Sequence, residues 1–84
     1  MIYTMYSIKD RLNGYTIPIP MLSDDLAKRY FKDQILGNPT LKNSPEDFTI
    51  EKVGVFNTET GEFTQPKIEI LERGAAYVTS NSNS

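Results

Sequence analysis

Residues 45–63 constrain the folding of this chain more than any other stretch. Phe48, Ile50, Val53, Val55 and Phe56 form an apolar, largely β-branched run, and Phe63 opens a second run after the turn-rich segment Asn57 to Gly61. Two such runs around a short loop are the pattern of a β-hairpin. A Gly near the end of the loop suits a type I turn followed by a left-handed residue. Within the first run the alternation changes phase, because Phe48 and Ile50 are in step, Val53 and Val55 are in step, and the slip falls at Glu51-Lys52. A one-residue slip turns every later side chain to the other face, so a bulge or a sharp twist is expected there.

The remaining segments supply what a hairpin alone lacks. Ile2 to Ile8 reads as a strand, with Ile2, Thr4, Tyr6 and Ile8 on one side and Tyr3, Met5 and Ser7 on the other. Asn13-Gly14 marks a turn. Tyr15 to Ile19 can pair back, but Pro18 and Pro20 lack an amide hydrogen, which limits this piece to an edge strand or an extended connector. Ser23 is a good N-cap, and Asp24 and Asp25 lie at the positive end of the helix dipole. Leu26, Ala27, Tyr30, Phe31 and Ile35 recur at spacings of three and four, which predicts an amphipathic helix from Asp24 to Leu36. Gly37 is expected to end it in a left-handed conformation, with Asn38-Pro39 preventing continuation. Asp25 and Arg29 are spaced as an i,i+4 ion pair.

Residues 38–45 read as a polar linker with two prolines. Lys67 to Leu71 is a further alternating run broken at Arg73-Gly74, and Ala75 to Val78 reads as a last extended piece. Thr79 to Ser84 has no apolar residue to bury and is expected to be a disordered tail. The order β–(β)–α–β–β predicts a single α+β domain over residues 1–78, a small antiparallel sheet of three or four strands with one amphipathic helix packed on one face. One helix leaves the other sheet face or an edge uncovered, and a chain of this size buries only about 60% of its unfolded surface. A homodimer that covers the remainder is therefore expected.

The residue types present exclude several functions. With no Cys and no His, the chain cannot form disulfides, Cys/His zinc sites, or a Cys or Ser–His nucleophile. Asp24, Asp25 and Asp33 lack the convergent partners of a metal or acid–base site and read as helix capping and ion pairing; Glu46-Asp47 reads as a turn before a strand. The glycines are isolated, and none precedes a helix in a phosphate-binding pattern. The chain is expected not to be an enzyme and to use no cofactor. Its longest apolar run falls far short of the roughly 20 residues needed to span a bilayer. The first residues have neither a basic flank nor a small-residue cleavage site, so neither a membrane span nor a signal peptide is expected.

Charge and aromatic residues are the features left to explain. The net charge is −2, yet six basic and four acidic residues precede Pro45, against three basic and seven acidic residues from Pro45 onward. Such asymmetry either builds a local basic patch or solvates a surface. Eight aromatics, from Tyr3 to Phe63, outnumber what so small a core can bury. Single-stranded nucleic acid is bound by base stacking on aromatics together with phosphate contacts to Lys and Arg. The candidates for this role are Tyr3, Tyr15, Lys9, Arg11, and the helical trio Lys28, Arg29 and Lys32. The competing reading puts the phenylalanines in the core and leaves each tyrosine exposing only its hydroxyl.

Several short motifs, in order, resemble a known family. Tyr6-Ser7-Ile8-Lys9-Asp10 is similar to a "Y-[AS]-I-[KR]-D" strand, and Gly14-Tyr15 followed by Pro18 or Pro20 to a "G-[FY]-x-x-P" turn. Ser23 to Phe31 is similar to an "N-D-x-x-A-x-R-x-F" helix, with Ser23 in place of Asn and the cap retained. Pro45-Glu46-Asp47-Phe48, Val53-Gly54-Val55-Phe56 and Thr60-Gly61 complete the pattern. Together they resemble the small non-structural protein of gokushoviruses, single-stranded DNA phages of the Microviridae. The resemblance implies a protein made in the cytoplasm of the infected bacterium and absent from the virion. It would act when replication turns from double-stranded copies to single-stranded genomes for packaging. The implied partners are single-stranded DNA or, in a second reading, a replication initiator, capsid precursor or host factor bound without DNA contact.

Overall fold

Two long antiparallel strands, β1 (Ile2–Asp10) and β4 (Phe48–Asn57), form the centre of the sheet in the computed structural model, which describes residues 1–65 and 67–78. Short strands fill both flanks. On the far side of β1, β2 (Gly14–Tyr15) and β3 (Ile19–Met21) pair in succession, and on the far side of β4 the same is done by β5 (Phe63–Thr64) and β6 (Glu69–Arg73). All pairings are antiparallel. The expected α+β architecture is present. The sheet has six strands where three or four were expected, because each flank consists of two short strands. Strand β3 is an edge strand that contains Pro20, opposite Met5, while Pro18 lies before it. The expected tail, Thr79 to Ser84, lies outside the described residues.

The phase slip in β4 is a bulge, placed just after the expected Glu51-Lys52 position. Met5 pairs with Gly54 and Tyr6 with Lys52, leaving Val53 as the extra residue. A second irregularity follows on the other flank, where Ile50 pairs with Glu72 and Glu51 with Ile70, leaving Leu71 extra. The hairpin turn closes as expected, with the Gly61 amide donating to the Asn57 carbonyl at 2.8 Å and Gly61 at φ +77°.

Helix α1 (Asp24–Gly37) starts at Ser23, whose hydroxyl accepts from the Leu26 amide. Its Ala27, Phe31 and Ile35 bury against Tyr6, Ile8, Phe48 and Ile50 of the two central strands. The stop differs from the expectation. Gly37 remains helical, and the chain leaves at Asn38 with φ −94°. The Asn38 side chain then accepts from the Thr40 amide and caps a second short helix, α2 (Pro39–Asn43). Residues 38–45 are thus not a linker. Pro39 at the first helical position needs no amide donor, and buried Leu41 gives the turn a reason to pack. The last piece also differs, because Gly74–Tyr77 is a 3-10 turn where an extended segment was expected. Backbone contact between Gly74 and Pro45 holds it there, and Tyr77 meets Phe31 edge-on at 6.0 Å. Asp25 and Arg29 form no ion pair among the described residues.

On this helical side two phenols are bonded to carboxylates. The Tyr6 hydroxyl donates to Asp24 Oδ1 at 2.6 Å, and Lys52 Nζ lies 3.2 Å from Asp24 Oδ2. The Tyr6 bond and Lys52 hold the Asp24 carboxyl below its ordinary range, against the opposing effect of burial. Burial, reinforced by Asp24, pushes the Tyr6 phenol well above its ordinary value. Tyr77, which donates to Glu72, is pushed up to about 12, again by burial first and the carboxylate second. An unfolded tyrosine ionises near pH ~10. Above that pH the unfolded chain loses its phenolic protons while the fold keeps them, so the fold is penalised. Stability from these groups is therefore complete below pH ~10 and lost as pH rises through the folded values. The urea midpoint is expected to fall between pH ~10 and ~12, and less so in Tyr77→Phe. An equal fall in both proteins would show that Tyr77 is not involved.

Candidate nucleic-acid interface

The helices cover the sheet face that carries Tyr6, Ile8 and Ile50; the alternate residues of β1 and β4 point to the opposite face. Tyr3, Met5, Ser7 and Lys9 therefore share that second face with Thr49, Glu51 and Val53. Side chains from the flanks lean over it but leave it open, and Tyr15, Phe63, Ile68 and Ile70 are each between 41% and 49% exposed.

A shallow apolar groove runs across this open face. Its volume is about 300 Å³, its floor is Ser7, Thr16 and Val53, and its walls are Tyr15 and Pro18 on one side and Phe63, Gln65 and Ile68 on the other. Polar atoms on the floor satisfy one another. The Ser7 hydroxyl donates to the Thr16 carbonyl at 2.7 Å, and Thr16 Oγ1 accepts from the Ile8 amide at 3.1 Å. Phe63 is seated by a glycine, since a Cβ on Gly54 would lie 2.5 Å from two atoms of its ring. A strand glycine of this kind marks close approach by another group.

Tyr15 links the groove to the charged end of the face. Its hydroxyl donates to Glu51 Oε1 at 2.8 Å, and Thr49 donates to Glu51 Oε2 at 2.7 Å, so both oxygens of this buried carboxylate are occupied. The bond to Glu51 raises the Tyr15 phenol above its ordinary value. Lys9, directly opposite Tyr15 across the strands, places its ammonium 5.5 Å from the ring centroid. Beyond it a second hollow of about 240 Å³ is lined by Lys9, Arg11, Thr49, Glu51, Asp47 and Arg73, with Glu46 and Ile70. Arg11 is tied to Asp47, Nε to Oδ1 at 3.0 Å, whereas Lys9 and Arg73 form no ion pair among the described residues.

The seven residues expected from sequence thus fall in two places. Tyr3, Lys9 and Tyr15 share the open face, with half-buried Tyr3 towards the far end of β1, opposite Phe56. Arg11 lies at the near end, engaged with Asp47. Lys28, Arg29 and Lys32 are on α1, on the other side of the sheet, and do not join the same surface. Sequence reasoning missed Phe63, Pro18, Ile68 and Arg73. The available signal was Gly54, a glycine inside a strand.

A family model described as "Phage ORF5 protein" matches residues 3–77. The chain belongs to the phage ORF5 protein family. The family match spans β1 through the final 3-10 turn and so covers both the groove and the helical face. No curated protein and no solved structure shows significant similarity to the chain. Among the described residues no helix is long and apolar enough to cross a membrane.

Proposed function

We propose that this phage ORF5 family member is a gokushovirus non-structural protein that binds single-stranded DNA on its open sheet face. It would act in the cytoplasm of the infected bacterium, at the switch to single-stranded genome synthesis and packaging, in a binding role without catalysis. The observation that carries the reading is the uncovered face itself, where Tyr15 and Phe63 stand half-exposed with Lys9 against Tyr15. Aromatic faces take unpaired bases, and an adjacent ammonium takes phosphate. The motifs of β1, α1 and β4 supply the link to gokushoviruses.

The test is titration of labelled single-stranded and duplex DNA at two salt concentrations. Single strands are expected to bind more tightly, with affinity falling as salt rises. Lys9→Ala should flatten the salt dependence by roughly 0.7 per lost phosphate contact. The triple variant of Lys28, Arg29 and Lys32 should leave binding nearly unchanged, since these lie behind the sheet. No binding at low salt would refute the proposal. A second reading, a protein-interaction module, draws on the negative net charge and on Ile17 and Leu22 beside β3, which are 86% and 77% exposed.

A further inference from the structure

We infer that the groove between Tyr15 and Phe63 holds one unpaired nucleobase by its flat faces and does not read its edge, so that recognition is tolerant of sequence. This deepens the single-stranded DNA reading and rests on it. Three features of the groove select this occupant. Its two walls each present an aromatic ring, Tyr15 on one side and Phe63 on the other. Its floor hydroxyls, Ser7 and Thr16, are already bonded to the chain and to each other's residues, so the floor offers a base edge no free donor or acceptor. The one side-chain amide of the lining, Gln65, is exposed and can donate to or accept from any base. At its charged end Lys9 lies on the Tyr15 ring, placed to meet the phosphate of a base stacked beyond it.

An extended peptide fits less well. It would bring a backbone donor and acceptor with each residue, and such groups need partners when buried. Peptides that add to sheets find those partners along an edge, whereas this groove crosses a face. A base can leave its polar edge in water and bury only its π-surface. A base within a duplex is already stacked on both sides and cannot enter.

Gly54 is the positioning residue. Because a Cβ there would overlap the Phe63 ring by its far end, Gly54→Ala moves the ring without removing it and without pressing on backbone other than Thr64 O, at 3.1 Å. The experiment compares three probes of equal length and equal phosphate charge: an oligothymidylate, a mixed-sequence strand, and a strand of abasic sites. The chain has five tyrosines, of which Tyr15 lines the groove, and no tryptophan, so tyrosine fluorescence follows binding. The two base-bearing strands are expected to bind within about threefold of each other and to quench fluorescence. The abasic strand should bind about 5- to 150-fold more weakly, the range of one stacked base. Phe63→Ala and Gly54→Ala should weaken the oligothymidylate by a similar factor and leave the abasic strand unchanged, with circular dichroism confirming that both variants are folded. Equal binding of the abasic strand would overturn the groove proposal while leaving phosphate-based DNA binding intact. Strong preference for one sequence would overturn edge-independent stacking. If no probe binds, the DNA reading and the groove proposal both fall, and the face is then a surface for a protein.

Discussion

Phe31→Ala is expected to lower stability by about 3–5 kcal/mol, the usual effect of removing a fully buried phenyl group. The ring is completely buried at the centre of the helical face, where it joins α1 to Tyr6, Ile8 and Ile50 and receives the edge of Tyr77. Domains carry only about 0.05–0.15 kcal/mol of stability per residue. For a chain of 84 residues that is roughly 4–13 kcal/mol in total, so the substitution removes between about a quarter and all of it. Urea denaturation followed by circular dichroism measures the change. Leu36→Ala, at a helical position 56% exposed, should shift the midpoint little. Similar losses at both positions would mean that α1 does not pack as described.

How far the sequence foretold this arrangement depends on what each segment had to say locally. Helix α1 was legible because its cap, charge and apolar spacing agree. The bulge in β4 was legible only as a break in the alternation of Phe48 and Ile50, since Val53 alone is turned to the open face and Val55, opposite Thr4, returns to theirs. The 38–45 segment was misread because Pro39 looks like a breaker when its neighbour Asn38 is not recognised as a cap. Once Asn38 Oδ1 accepts from Thr40, the same proline favours a helix start. Gly74–Tyr77 was misread for a different reason. Its conformation is set by contact with residues 45–48, far away in sequence, and short apolar runs carry no record of such contacts. The candidate interface was half legible: alternation placed Tyr3 opposite Tyr6, but nothing in the sequence says that α1 covers the Tyr6 face. That single fact separates Lys28, Arg29 and Lys32 from Tyr15 and Lys9. The groove needed tertiary information too, since Phe63 and Ile68 reach Tyr15 only because β5 and β6 flank β4.

Substituting Ala at two glycines is expected to change stability in opposite directions. At Gly74 an added Cβ would lie 1.9 Å from the Pro45 carbonyl oxygen, 2.8 Å from its carbon and 3.1 Å from the Phe48 oxygen. All three atoms are backbone, so no rotamer change relieves the overlap, and the 3-10 turn Pro45–Asp47 that leads into β4 must separate from Gly74–Tyr77. The effect should reach or exceed the ~1–3 kcal/mol typical of overpacking. Tyr77 moves with the turn, so its edge contact with Phe31 and its bond to Glu72 weaken together. Gly37 is the counterpart. It is helical, with nothing within 4 Å of the added methyl, so Gly37→Ala should stabilise by about 0.4–1 kcal/mol through loss of unfolded-chain freedom. Both changes are read from urea midpoints at neutral pH. A neutral result at Gly74 would mean that the two turns are not in contact. That would remove the packing that carries Tyr77 onto the helix and, with it, the reason the chain turns back after β6.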